Sequence, residues 1–332
     1  MLKKKDKYNV AIVGATGLVG GTFIKVLQEY NFPINQLKLL ASKKSIGIQI
    51  EAFNQVYKVE ALTESSFENM DIALFSAGGD VSKIYAPYAA KAGALVIDNS
   101  SAFRMDRHVP LIVPEVNPND LTLQGIIANP NCSTIQVVLP LKVLDLTYGI
   151  DEVNYTTYQS VSGSGQKGIN DLKRTQQGQL PEFYPYDISK TCIPQIDLFL
   201  DNDYTKEEMK MVNETKKILA NDDLKVSATC IRVPIENAHG VNVVVKLNQP
   251  FEIKDVQMAL SKFKGIKVLD DPKNSIYPVS TVATGNDLVY VGRIRRDLID
   301  PQRIIFYCVS DNIRKGAASN AVSIAKLAIE SL

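Results

Sequence analysis

Metal-ligating residues are scarce in this chain: it has four cysteines and two histidines among 332 residues. Cys132, Cys192, Cys230 and Cys308 form no CxxC pair and no metal-ligand spacing, so no metal is expected and a reducing cytoplasm fits best. Charge of one sign is also lacking. Lys and Arg total 37 against 36 Asp and Glu, a net charge of +1, which gives no reason to expect nucleic acid or an anionic membrane as partner. No stretch reaches about 18 uninterrupted apolar residues, so no membrane span is expected. Glycines interrupt the apolar residues after the basic start Lys3-Lys4-Lys5, which argues against a signal peptide. There is no internal repeat and no low-complexity tract. Small molecules remain as the expected clients.

What is present is ordinary enzyme composition, 45% hydrophobic and 22% charged, at a length that predicts two domains. Near the start, a strand over Tyr8 to Val13 runs into Gly14-Ala15-Thr16-Gly17-Leu18-Val19-Gly20. Val19, Phe23, Val26, Leu27 and Tyr30 then recur at the spacing of one helix face. Glycines there let the backbone turn tightly and approach a pyrophosphate, whose charge sits at the helix start. The second strand, Leu37 to Leu40, ends where an NAD protein places an acidic residue on the ribose. This chain has Ser42-Lys43-Lys44-Ser45 instead, which suits a 2′-phosphate, so NADP(H) is preferred. Apolar strands over Asp71 to Ala77 and Ala94 to Asp98 complete the expectation of a parallel sheet. They end in loops carrying Ser76 and, a little further on, Arg104. Arg104 is either a surface arginine with a packed stem or a clamp for carboxylate or phosphate.

From Asp151 the period changes to two, through Val153, Tyr155, Thr157, Gln159 and Val161, up to Ser162-Gly163-Ser164-Gly165. The fold class expected is therefore α/β: a Rossmann-type parallel-sheet domain, plus an α+β domain with a largely antiparallel or mixed sheet. A helix is expected from Thr205, with capping-box spacing to Glu208; its charges Lys206, Glu207 and Lys210 read as a salt-bridged solvent face. His239 falls in a tight turn between strands and can be presented to a cleft, whereas His108 reads as solvated. The helical pattern from Ala317 to Leu332 is expected to return to the first domain, which places a dinucleotide-binding domain at 1–131 with 313–332 and a second domain at 132–312.

Asn129-Pro130-Asn131-Cys132-Ser133-Thr134 sets one thiol between a proline-broken turn and an apolar run at helical spacing, Ile135, Val138, Leu139, Leu141 and Val143. A cysteine at a helix start meets unpaired N–H groups and the positive end of the dipole, both of which favour thiolate. A small buried hydrophobe is the alternative reading.

GATGLVG, SSAFRM, VPEVNP, NPNCST, YQSVSGSG, EEMK with ETKKI, CIRVP followed by a histidine, and SDNIRKGAA occur in one order along the chain. This ordered set resembles the aspartate-β-semialdehyde dehydrogenases, specifically those of Gram-positive bacteria. The resemblance implies reversible NADPH-dependent reductive dephosphorylation of L-aspartyl 4-phosphate to L-aspartate 4-semialdehyde and phosphate through a cysteine thioester. That reaction serves lysine (through diaminopimelate), threonine, methionine and isoleucine biosynthesis. It implies Cys132 as nucleophile, His239 as acid/base and Gln159 as the residue orienting the reacting centre. Arg232 would grip the substrate carboxylate, Arg104 and Lys210 the phosphate, with Glu207 and Asn131 also at the substrate. Gly14, Thr16, Gly17, Leu18, Val19, Ser42, Lys44, Ser45, Ser76, Ser162, Gly163 and Asn312 fall on the cofactor side. A cytoplasmic homodimer, or a dimer of dimers, joined through the second domain is implied too. Lys44 stands where many relatives have arginine, Ile46 where they have alanine, and Gly240 where serine is common. Two other readings remain: N-acetyl-γ-glutamyl-phosphate reductase, which shares the thioester logic, and a noncatalytic paralogue acting as a binding module.

Overall fold

The computed structural model describes residues 1–332 and divides them into two compact units, Met1–Pro130 with Ala317–Leu332, and Asn131–Gly316. No helix is long and apolar enough to cross a membrane.

The first unit is built on strands β1 (Tyr8–Val13), β2 (Ile34–Ala41), the hairpin β3 (Gln49–Ala52) and β4 (Gln55–Lys58), β5 (Glu60–Ala61), β6 (Ile72–Phe75), β7 (Leu95–Asp98) and β8 (Ile126–Ala128), with helices α1 (Leu18–Glu29) and α2 (Gly79–Lys91). Six strands form one parallel sheet in the order β5-β2-β1-β6-β7-β8. Alternation along β1 assigns its residues to two cores. Val10 and Ile12 pack with Phe23 and Leu27 of α1; Ala11 and Val13 pack with Ala86 and Ala89 of α2. Both faces of the sheet are thus covered, which is why its strands read as nearly continuous apolar runs.

The second unit begins with α3 (Cys132–Tyr148) and continues through β9 (Ile150–Gln159), α4 (Gln166–Gln176), α5 (Lys206–Leu219), β10 (Lys225–Arg232), β11 (His239–Leu247), α6 (Ile253–Lys262), β12 (Ile266–Val268), α7 (Ser280–Ala283), β13 (Val289–Arg296) and β14 (Arg303–Ser310). Its sheet runs β10-β9-β11-β14-β13-β12. The three central pairings are antiparallel and the two edge pairings parallel, so the sheet is mixed. The last helix, α8 (Ser319–Glu330), buries Ala321, Ile324, Ala325 and Ala328 in the same core as α1.

Helix α3 differs from the one-faced helix its apolar spacing suggests. Every residue from Ser133 to Leu141 is buried, so the helix has no solvent stripe along that stretch; it opens to solvent at its last turn, at Leu146 and Thr147, and in part at Cys132. The charges of α5 also depart from expectation. Glu207, Glu208 and Glu214 are buried and therefore require internal partners.

Candidate active site

In the first unit the glycine turn is set by close approach. Gly14 has φ +84°, and a Cβ there would stand 3.0 Å from the carbonyl carbon, carbonyl oxygen and Oγ of Ser76. A Cβ on Gly20 would lie 2.1 Å from the Gly14 oxygen, so only glycine lets α1 pack onto the turn. Gly17 caps α1 without a side chain, and Leu18 and Val19 open a first turn that contains no acidic residue. After β2, Ser42 leads a short 3-10 turn, Lys43–Ser45, and Thr16 Oγ1 donates to Ser45 Oγ at 3.5 Å. Backbone stripped of Cβ atoms at a helix start, beside an exposed turn bearing lysines and no carboxylate, fits a pyrophosphate and a 2′-phosphate. Two expected ligand residues are engaged internally. Ser76 Oγ donates to the Val13 carbonyl at 3.2 Å and so buttresses the turn. Arg104 is buried rather than on the surface, with Nε donating to Asn129 O at 2.9 Å and Nη2 to Asn99 O at 2.8 Å.

In the second unit Cys132 is the first residue of α3 and is half-buried. Its helix start is not a set of open N–H groups, because Asn131 caps it: Oδ1 accepts from Ser133 N at 2.9 Å and from Thr134 N at 3.3 Å. A Cβ on Gly316 would lie 2.8 Å from Cys132 Cβ, so glycine there makes room for the cysteine. Burial, then the Glu207 charge, pushes the Cys230 thiol up, and burial does the same to Cys308. Neither is suited to nucleophilic work, and exposed Cys192 has no such setting.

Glu207 joins Asn131, the residue before Cys132, to Gln159 and Lys210. Its Oε1 accepts from Asn131 Nδ2 at 2.8 Å and from Gln159 Nε2 at 3.2 Å, while Oε2 accepts from Lys210 Nζ at 3.1 Å. Burial alone would raise its pKa, but the Lys210 charge and the three hydrogen bonds outweigh burial and hold Glu207 below the usual carboxylate range. Lys210 also donates to Asp197 Oδ2 at 2.9 Å. Burial opposes its charge, and the two carboxylates more than offset this and raise its pKa.

Gln159 ends β9 with Arg232 opposite it on β10, and β11 lies on the other side of β9. His239 opens β11 and is fully buried, not set in an exposed turn. Its Nδ1 accepts from the Ser160 N–H at 3.0 Å and lies 3.0 Å from Ser160 Oγ, which places the proton of the neutral ring on Nε2. Burial, then the Arg232 charge, lowers its pKa well below the ordinary value. Arg232 Nη1 donates to Ser160 O at 2.6 Å. His239 Nε2 and Arg232 Nε are buried without protein partners. Gly163 closes on this pair: a Cβ there would lie 2.9 Å from Arg232 Nη1 and 3.1 Å from His239 Nε2.

Ser162 and Asn312, expected at the cofactor, are engaged behind the histidine. Asn312 Oδ1 accepts from Ser160 Oγ at 3.1 Å, from Ser162 Oγ at 3.2 Å and from Ala238 N at 3.0 Å. The structure therefore brings Asn131, Gln159 and Lys210 together on Glu207, with Cys132 next to Asn131 in the chain, and brings Arg232 and His239 together on Ser160, the residue after Gln159. Ser160 was not legible in this role, since a serine in a Ser-Gly run carries no such signal. Gly240 is explained by packing: a Cβ there would meet the Tyr307 hydroxyl at 1.9 Å, so a serine at this position is blocked while Tyr307 keeps its place.

Residues 9–124 match the semialdehyde dehydrogenase NAD binding domain and residues 141–315 the semialdehyde dehydrogenase dimerisation domain. Aspartate-semialdehyde dehydrogenase of Campylobacter jejuni is 47% identical, with 99% of each chain covered. That of Bacillus subtilis is 46% identical, with 96% of each covered, so the likeness does not single out the Gram-positive type. The crystal structure of aspartate semialdehyde dehydrogenase II from Vibrio cholerae, complexed with ASA, superposes with TM-score 0.94 at 44% identity, covering 98% of this chain and 99% of that one. The chain belongs to the aspartate-semialdehyde dehydrogenase family.

Proposed function

We propose that the chain interconverts L-aspartyl 4-phosphate and L-aspartate 4-semialdehyde with NADP(H), through a thioester on Cys132. The observation that carries the reading is the continuous polar linkage in which Glu207 holds both Asn131, the residue before the thiol, and Gln159, the residue before the serine that orients His239. In the oxidative direction the Cys132 sulfur bonds to the aldehyde carbon and the carbonyl electron pair moves to oxygen. His239 donates a hydrogen bond to that oxygen from Nε2, the ring atom with no partner in the protein. The cofactor, when bound, takes up the hydride or, in the reverse direction, supplies it. A phosphate oxygen then attacks the thioester carbon and the Cys132 sulfur leaves as thiolate. Gln159 orients the reacting centre and Arg232 grips the substrate carboxylate, while Lys210 holds phosphate. Two of the three Lys210 donors go to Glu207 and Asp197, which leaves one for phosphate.

Gly14, Thr16, Gly17, Leu18 and Val19 hold the pyrophosphate, and Ser42, Lys44 and Ser45 the 2′-phosphate. Ser76 acts on the cofactor side by holding the glycine turn in shape, and Ser162, Gly163 and Asn312 by holding Ser160 and His239 in shape. Lysine at 44 forfeits a bidentate grip, so discrimination against NAD is softer than an arginine would give. We further assign a cytoplasmic homodimer serving amino-acid biosynthesis. Tyr158, Ile235, Tyr277 and Tyr307, with Arg293 and Arg295, line a cavity of about 450 Å³ in the second unit, a tyrosine- and arginine-rich surface of the kind that subunit contacts cover. Sedimentation of the purified protein tests the dimer.

The activity test offers aspartate semialdehyde and N-acetylglutamate semialdehyde, each with phosphate and with NADP or NAD. Turnover of the first substrate, faster with NADP, is expected. Turnover of the acetylated substrate alone would overturn the reading, and no turnover of either would favour a noncatalytic paralogue.

A further inference from the structure

Glu214 is a buried carboxylate, 1% exposed, that the reaction as derived does not use. It lies seven residues beyond Glu207 on α5, two turns away on the same face. Its Oε2 accepts the backbone N–H of Asn131 at 2.6 Å, a charge-assisted hydrogen bond. In a capping box the N–H of the capping residue is taken by a Glu or Gln three residues further along the same helix. In α3 that position is Thr134, whose hydroxyl is directed to Met211 at 3.7 Å. Glu214 supplies the missing acceptor from a different helix.

Resting on Cys132 as the nucleophile, we propose that Glu214 is a positioning residue: it completes the cap of α3 in trans and so fixes where the Cys132 sulfur is presented. Three groups of Asn131 are then tied down. Its N–H goes to Glu214, its Nδ2 to Glu207 and its Oδ1 to the first turn of α3. Cys132 follows directly along the chain and inherits that geometry.

The test compares Glu214→Gln with Glu208→Gln in the full-length enzyme. Glu208 is a matched control: it is buried on the same helix, but it accepts from Thr205 N at 2.7 Å and from Cys230 N at 3.0 Å, with no bond to Asn131. The rate of Cys132 alkylation by iodoacetamide is followed from pH 5 to 9 by mass spectrometry of its peptide, alongside kcat, KM and Tm. Glu214→Gln should raise the pH midpoint of alkylation and lower kcat about tenfold at unchanged KM; Glu208→Gln should leave both unmoved. Removal of a negative charge without any loss of position would lower the midpoint. An unchanged or lowered midpoint, or the same changes in Glu208→Gln, would overturn the proposal. Should Glu214→Gln not fold, Glu214→Asp carries the test. It keeps the charge and retracts it by one methylene, so the midpoint should still rise, and normal alkylation and kcat would count against the claim. Alkylation needs no substrate, so these measurements stand even if Cys132→Ala retains turnover and the thioester reading fails.

Discussion

In the first unit the decisive positions are those where a side chain is missing. Gly14, Gly17 and Gly20 bring a turn and a helix start close together, and the nearest obstacles to a Cβ at Gly20 are all backbone atoms. In the second unit they are buried polar side chains. Glu207, Glu208, Glu214, Arg232 and His239 lie inside, each with partners drawn from other elements. Backbone shape suffices to receive a phosphate, because N–H groups at a helix start carry fixed partial charge. Moving a proton and aiming a sulfur requires groups with adjustable charge, and these must be held one by one.

Four changes test that contrast. Cys132→Ala should lower turnover by about 10⁴-fold or more while leaving NADPH affinity near that of the wild type, read by fluorescence titration; a parallel loss of affinity would mean the two roles are not separable. Gly20→Ala should do the reverse. Its Cβ meets the Gly14 oxygen at 2.1 Å, an overpacking that costs about 3 kcal/mol, seen as a lowered urea midpoint with weakened NADPH binding. An alanine variant as stable as the parent would show that the turn yields freely. Gly163→Ala should lower kcat/KM about 100-fold with little change in Tm, because the atoms it crowds belong to Arg232 and His239.

The smallest effect concerns pH. The folded pKa of His239 lies well below its ordinary 6.5, so the unfolded chain binds a proton first as pH falls, and stability declines from about pH 6.5 downward. Glu207 sits below its ordinary 4.5, so its contribution is present above that pH and is lost as pH falls through its folded value. Denaturant midpoints should therefore begin to drop near pH 6.5 by at most about 1.4 kcal/mol per pH unit, and His239→Gln should remove that upper part of the slope. Parallel curves for the two proteins would show that the ring is charged in the fold.

The contrast also explains what was legible in the sequence. Glycine spacing and the helix period of Phe23, Val26 and Leu27 are local signals, and they anticipated the parallel sheet and the close glycine turn. Period two from Val153 to Gln159 likewise anticipated β9, and Thr205 with Glu208 forms the capping box of α5. The charged face of that helix was misread because burial of a carboxylate depends on partners distant in sequence: Asn131 for Glu207 and Glu214, and Cys230 for Glu208. The two acids seven residues apart were the one available hint. His239 was misplaced for a similar reason, since its pairing with Ser160 spans 79 positions.

Tyr307 fills with its hydroxyl the space where position 240 would carry a side chain. The two sites are consequently a coupled pair. Introducing a serine at 240 alone should fail, and a smaller residue at 307 alone should leave a void. A combinatorial library covering both codons is the smallest search that could recover the alternative arrangement, and a scan of single substitutions would pass over it.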